Sequence, residues 1–130
     1  MHKRLNPAKI APPVPTGFFS HGIEVVPNAR WLYISGQTGV RPDGSPPDDF
    51  AGQAEQTFAN MRAVLEDAGM GPGDLVKLVV YILRPDDLPD LRRIRNQFLG
   101  EARPAQTLLR IAGLALPGWL IEVEGVAAKV

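Results

Sequence analysis

Residues 103–126 read RPAQTLLRIAGLALPGWLIEVEGV. Two apolar-rich segments flank a bend rich in Gly and Pro, which is typical of two extended segments joined by a turn. The pattern predicts strands over residues 105–112 and 119–128. The first strand contains an amide, Gln106, and the second contains a carboxylate, Glu122.

Two helices are predicted upstream of this stretch. Asp48 or Asp49 can cap the first by accepting from free backbone amides, and Gly69 ends it. The second opens at residues 85–87 and ends at Gly100. Each has apolar residues three and four positions apart, which form one stripe: Phe50, Ala54, Phe58, Met61, Leu65 and Ala68 in the first, and Leu88, Leu91, Ile94, Phe98 and Leu99 in the second.

Three further strands are predicted. Residues 75–83 are dense in Val, Leu, Ile and Tyr with little alternation, which favours a strand buried on both faces. Residues 18–26 and 31–35 are expected to pair as a hairpin around the turn at 27–30. Residues 39–47 form a loop, and the first sixteen residues form an extended arm.

The element order is β-β-α-β-α-β-β, which predicts an α+β sandwich with two helices on one face of a mixed sheet, in a single domain over residues 1–130. Two helices cover only one face of such a sheet. Because the strand at 75–83 indicates that the other face is also covered, we expect a homo-oligomer.

Composition excludes several classes of function. Fourteen basic residues balance fourteen acidic ones, so we expect no nucleic acid and no membrane as partners. There is no cysteine, which excludes thiolate catalysis and Cys-based metal sites. The opening MHKRLNPAKIAPP lacks the apolar core of a signal peptide, and no apolar run is long enough to span a bilayer. We therefore expect a cytoplasmic protein.

Glu122 is the first candidate for chemistry. Glu122 and Glu124 are two residues apart in a strand and so share a face, and paired carboxylates can divide acid and base roles. Alternatively both face solvent or make ion pairs. Glu122 has the more apolar neighbours and is the better candidate of the two.

Ser35 and Gly36 end an early strand, where glycine allows close backbone approach. The alternative is a turn with local hydrogen bonds. His21 is interpreted as a surface or interface residue rather than a proton carrier. Arg92, Arg93 and Arg95 follow several aspartates, so a solvated face with local ion pairs is expected for them.

Three motifs resemble the Rid/YjgF family, the reactive intermediate deaminases, also called L-PSP endoribonuclease-like proteins. They are YISGQTG at 33–39, LEDAGMGPGDLVKLVVYI at 65–82 and RPAQTLLRIAGLALPGWLIEVEGVA at 103–127. The resemblance implies a chorismate-mutase-like fold, a homotrimer and ligand clefts at the subunit interfaces. It further implies hydrolysis of enamines or imines to a keto acid and ammonia, with no metal or organic cofactor.

The resemblance also implies roles for individual residues. The glutamate that positions water falls on Glu122, and Ser35 and Gly36 fall on the family's "SGQ" element. A tyrosine of the deaminases falls on Phe19, and the substrate-binding arginine falls on Gln106. Arg92 lies near a helix asparagine of some deaminases and is a candidate source of a cation.

The glutamine at position 106 suggests altered specificity. A neutral hydrogen bond in place of a charged one costs about 1–2 kcal/mol of binding. We therefore expect a small imine-like or enamine-like substrate other than the usual 2-imino acids. One alternative is a non-catalytic ligand-binding or client-binding trimer. Another is a ribonuclease or translation inhibitor, against which the neutral charge and the lack of a suitable histidine pair both argue.

Overall fold

The computed structural model describes residues 2–13 and 18–130. These residues form two helices and six strands, in chain order: β1 (Lys3–Leu5), β2 (Gly22–Glu24), β3 (Arg30–Thr38), α1 (Phe50–Asp67), β4 (Leu75–Ile82), α2 (Leu88–Leu99), β5 (Ala105–Arg110) and β6 (Ile121–Lys129). Short 3-10 turns at Pro72–Asp74 and Pro85–Asp87 lead into β4 and α2.

The main sheet has the strand order β3-β6-β4-β5. Strands β4 and β5 are parallel, because α2 carries the chain back between them, and the other pairs are antiparallel. Both helices pack on one face of the sheet, here called the helix face. Met61, Leu78, Leu91 and Ile121 are fully buried there. This arrangement confirms the predicted α+β fold with a mixed sheet.

The helix ends follow the predicted caps. The side chain of Asp49 accepts a hydrogen bond from the backbone N–H of Gly52 at 3.1 Å. Gly69 and Gly100, just beyond the two helices, adopt φ values of 70° and 57°. Glycine reaches this left-handed region without a steric penalty, which is why both helices end there.

The predicted hairpin between residues 18–26 and 31–35 is wrong. Strand β2 covers only Gly22–Glu24 and pairs with β1, which lies within the predicted arm. Strand β3 pairs instead with β6 along nearly its whole length. The intervening turn, with Asn28 at a φ of 65°, redirects the chain between two sheets, because turn chemistry alone does not fix which strands pair.

Strand β4 is buried on only one face within a protomer. Leu78, Val80 and Ile82 are at most 1% exposed, whereas the intervening side chains are half-buried. The latter point to the side of the sheet without helices, here called the open face. No helix among the described residues is long and apolar enough to cross a membrane.

Candidate functional site

Glu122 lies on the open face, next to the backbone of Gly36. Its register partners are Tyr81 on β4 and Thr38 on β3. A Cβ added at Gly36 would collide with Oε2 of Glu122 and would lie 2.8 Å from its Cδ. The pairing of β3 with β6 shifts between Ile34 and Gln37, so the irregular stretch presents bare backbone to the carboxylate.

Tyr81 lies between the two glutamates of β6. Its hydroxyl is 3.4 Å from Oε1 of Glu124. Burial, followed by the charge and hydrogen bond of Glu124 and the charge of Glu122, raises the pKa of Tyr81 above its usual value. The hydroxyl therefore remains a protonated donor at neutral pH.

Ser35 is exposed and lines a shallow depression on the open face with Tyr33, Lys77 and Glu124. The side-chain amide of Gln37 donates to the backbone oxygen of Ser35 at 3.1 Å. The sequence left open whether this segment makes local hydrogen bonds, and this contact is one of them. Ser35 and Gly36 lie on the same side of the molecule as Glu122.

Gln106 lies on the helix face, opposite Glu122. It is paired in parallel register with the core residue Leu78. Its neighbour Thr107 points to the open face, where its hydroxyl accepts a hydrogen bond from Lys77 at 3.0 Å. Because successive strand side chains alternate between faces, Gln106 and Glu122 of one protomer cannot contact the same small molecule.

The segment around Phe19 lies beside the start of β5. Ser20 forms a parallel bridge with Ala105, and its backbone N–H donates to the oxygen of Pro104 at 3.0 Å. The backbone oxygen of Phe18 accepts from the side-chain amide of Gln106 at 3.3 Å. Phe19 therefore lies near Gln106, with its ring edge-on to that of His21 at 5.5 Å.

The amide oxygen of Gln106 accepts a hydrogen bond from Nη1 of Arg95 at 3.1 Å. Arg95 is 6% exposed. Its pKa is lowered from the usual value by burial and, to a smaller extent, by the charge of Arg92. Arg92 is half-buried, and its charge acts on Arg95. We call these two arginines, together with Gln106 bonded to Arg95, the α2 cluster.

Sequence reasoning missed Arg95. We expected the arginines of α2 to lie on a solvated face, which holds for Arg93, whose guanidinium pairs with Asp90 at 3.3 Å. Arg95 instead follows Leu91 by four positions and precedes Phe98 by three. Those spacings place it on the apolar stripe, and this was the available signal.

The chain matches the family model described as Endoribonuclease L-PSP over residues 9–129. It belongs to the Rid/YjgF family. Within this family, it is 30% identical over 121 residues to the 2-iminobutanoate/2-iminopropanoate deaminase of Escherichia coli (strain K12), covering 90% of this chain and 91% of the relative.

Solved structures of Rid proteins share the fold. RidA from an Antarctic Psychrobacter superposes with a TM-score of 0.73 at 31% identity, covering 90% of this chain and 93% of RidA. YyfB, a Rid-family protein of unknown function from Yersinia pestis, gives a TM-score of 0.87 at 32% identity, with 98% of both chains covered. Similarity in this family therefore extends both to a deaminase and to a protein of unknown function.

Among the described residues, no three His, Asp or Glu side chains are grouped so that they could hold a metal ion. The predicted site residues form two separate groups. Ser35, Gly36 and Glu122 lie on the side of the open face, whereas Phe19 and Gln106 lie on the side of the α2 cluster.

Proposed function

We propose that this Rid protein hydrolyses the C=N bond of a small imine, or of the imine tautomer of a small enamine, in a pocket between subunits of a homotrimer. Glu122 is the catalytic residue in this proposal. Ser35 and Gly36 complete its half of the pocket. Gln106, Phe19 and Arg92 form the half contributed by the neighbouring subunit.

The observation that carries this proposal is the free carboxylate over Gly36. Glu122 makes no hydrogen bond to any residue in the described part of the chain, so its oxygens are available to a water molecule. A water that donates to Glu122 attacks the imine carbon. The nitrogen accepts the released protons and leaves as ammonia, while the carbon becomes a carbonyl.

The placement of the two groups supports a pocket shared between subunits. Within one protomer Glu122 and Gln106 point to opposite faces of the sheet, so only a second subunit can bring the two groups together. The open face also has exposed apolar side chains suited to self-association: Tyr33 is 76%, Trp31 52% and Leu109 45% exposed.

The proposed substrate range is wider than the range expected from the sequence. The expectation of a substrate other than the usual 2-imino acids rested on Gln106 being a neutral group without a cation beside it. Arg95 donates to Gln106, so that premise does not hold. The proposal therefore includes substrates with a carboxylate.

The test measures ammonia released from freshly generated 2-aminoacrylate, which tautomerises to an imine and hydrolyses to pyruvate. We expect release above the spontaneous rate, and a loss of about 100-fold or more in Glu122→Gln. Glu124→Gln is the matched control, because it removes a carboxylate from the same strand and face. Equal losses in both variants would contradict the role of Glu122, and no release by the wild type would refute turnover of this imine.

A second candidate is a non-catalytic ligand-binding trimer. It is favoured by one observation: within the described residues no hydrogen-bond donor orients the carboxylate of Glu122. This candidate predicts that Glu122→Gln retains ligand affinity and that no imine is turned over. The proposed hydrolase predicts that affinity is retained and turnover is lost, so a comparison of wild-type turnover separates the two.

A further inference from the structure

Within the described part of the chain, Arg95 is a buried cation without a neutralising partner. It is 6% exposed, and no carboxylate among the described residues lies within ion-pair distance of its guanidinium. The five residues outside the description are Met1 and residues 14–17, and none of them has an acidic side chain. Buried guanidinium groups are ordinarily paired, because removing a charge from water is costly.

Two aspartates near the start of α2 are engaged elsewhere, and Glu101, just beyond its end, is exposed. Asp87 binds the guanidinium of Arg84 through two hydrogen bonds of 2.8 and 3.1 Å. Asp90 pairs with Arg93. The charge that affects the pKa of Arg95 is that of Arg92, and it is of the same sign. The α2 cluster therefore has a net positive charge.

The guanidinium of Arg95 is held in a fixed orientation by neutral acceptors. Nε donates to Oδ1 of Asn96 at 3.1 Å, and Nη1 donates to Oε1 of Gln106 at 3.1 Å. Nη2 makes no hydrogen bond within the described residues. Because no buried side-chain nitrogen or oxygen there lacks a partner, Nη2 must reach the surface, where it can donate to a ligand.

The other arginines around β5 either make contacts elsewhere or lie too far from Gln106. The guanidinium of Arg103 stacks over the ring of Phe18 at 4.1 Å and donates to the backbone oxygens of Gly100 and Ala102 at 2.7 Å each. Arg110 lies at the far, exposed end of β5. Near Gln106, Arg95 and Arg92 are therefore the two arginines that could bind an anionic ligand.

We propose that Arg95 is the anion-binding residue of this protein, that it takes a small carboxylate ligand through Nη2, and that Gln106 is a positioning residue for its guanidinium. Arg92 adds a second positive charge. A planar guanidinium held in place by neutral groups retains its full charge for a ligand, whereas an ion-paired one does not. The inference rests on the proposed function for the position of the pocket.

The test uses pyruvate and its neutral analogue pyruvamide as probes, with binding measured by NMR titration of the oligomer. We expect the wild type to bind pyruvate about tenfold or more tightly than pyruvamide, and Arg95→Gln to abolish that preference. Arg93→Gln, on the same helix but exposed and paired with Asp90, should behave as the wild type. Equal affinity for the two probes, or no binding of pyruvate, would overturn the proposal.

A second measurement does not depend on a variant that folds. The Nε–H resonance of Arg95 in the wild type should shift with pyruvate and not with pyruvamide, whereas a purely structural arginine would respond to neither. Pyruvate binding through Arg95 without ammonia release from 2-aminoacrylate would refute the hydrolase and leave this inference standing. If a folded Arg95→Gln protein kept the turnover and KM of the wild type, the role of Arg95 would be refuted and the hydrolase proposal would stand.

Discussion

The carboxylate of Glu122 occupies the space that a side chain at Gly36 would need. The two residues lie on neighbouring strands, β6 and β3, at the point where the pairing between those strands shifts. The lack of a side chain at this position therefore leaves room for the carboxylate. The shifted pairing at Gly36 therefore lies directly beside the carboxylate that is proposed to orient water.

Replacing Gly36 with Ala should reduce ammonia release from 2-aminoacrylate about tenfold or more, because the new methyl displaces the carboxylate of Glu122. Stability should change by less than about 1 kcal/mol, since the carboxylate can swing away over the open face. Gly113→Ala is the control, because a Cβ there meets nothing within 4 Å. Full activity in Gly36→Ala would show that the position of the carboxylate does not matter.

The hydroxyl of Tyr81 should titrate above its usual pKa of 10.0, because it is partly buried and faces Glu124 and Glu122. A group whose pKa is raised in the folded state stabilises that state below its unfolded pKa and loses this contribution as the pH rises through the folded value. Stability should therefore decline as the pH rises above about 10.

Absorbance titration in a Tyr33→Phe background isolates Tyr81, since the chain has two tyrosines. Adding Glu124→Gln should lower the midpoint, because it removes a neighbouring negative charge. A midpoint that does not move would contradict the assigned contribution of Glu124.

Tyr33→Lys should dissociate the expected trimer into monomers. Tyr33 is 76% exposed and stacks on Trp31 at a ring separation of 6.5 Å, so a lysine there disturbs the open face without disturbing the core of the protomer. Light scattering on the wild type and the variant is the measurement. Leu116→Lys, in the bend outside the sheet, is the control and should remain trimeric. A monomeric wild type would refute self-association through this face.

Asp49→Ala should lower the free energy of unfolding by about 1 kcal/mol, because it leaves the backbone N–H of Gly52 without its acceptor at the start of α1. Urea denaturation measures this difference. Asp48→Ala is the matched neighbour and should cost less, since the side chain of Asp48 accepts no hydrogen bond in the described part of the chain. Equal losses would mean that the effect is one of charge and not of capping.

The parts of the fold that the sequence predicted are those governed by local interactions. The two helices were predicted from their apolar spacing, the cap at Asp49 and the glycines at 69 and 100. Strand β4 was predicted from its composition. The hairpin was not predicted correctly, because the partner of β3 is β6, some ninety residues later, and neither the pairing nor the shift beside Gly36 can be derived from local sequence.

The candidate site likewise combines residues that the sequence identified with contacts that it could not predict. Glu122 and Gly36 were singled out from strand position and motif resemblance, but their contact depends on register between distant strands. Arg95 was overlooked because charged residues are rarely fully buried, although its helical spacing already placed it beside Leu91 and Phe98. The position of Gln106 on the opposite face from Glu122 follows from strand pairing and was not expected.

The claim that the pocket is shared between subunits can be tested by mixing two variants that we expect to be inactive. Glu122→Gln removes the carboxylate, and Gln106→Glu places a negative charge against the guanidinium of Arg95. Two-tag purification selects trimers that contain both. Around a cyclic trimer of mixed composition, one interface in three combines an intact Glu122 half with an intact Gln106 half. Ammonia release from 2-aminoacrylate should therefore recover to about one third of the wild-type rate. Mixed trimers as inactive as either parent would contradict the account.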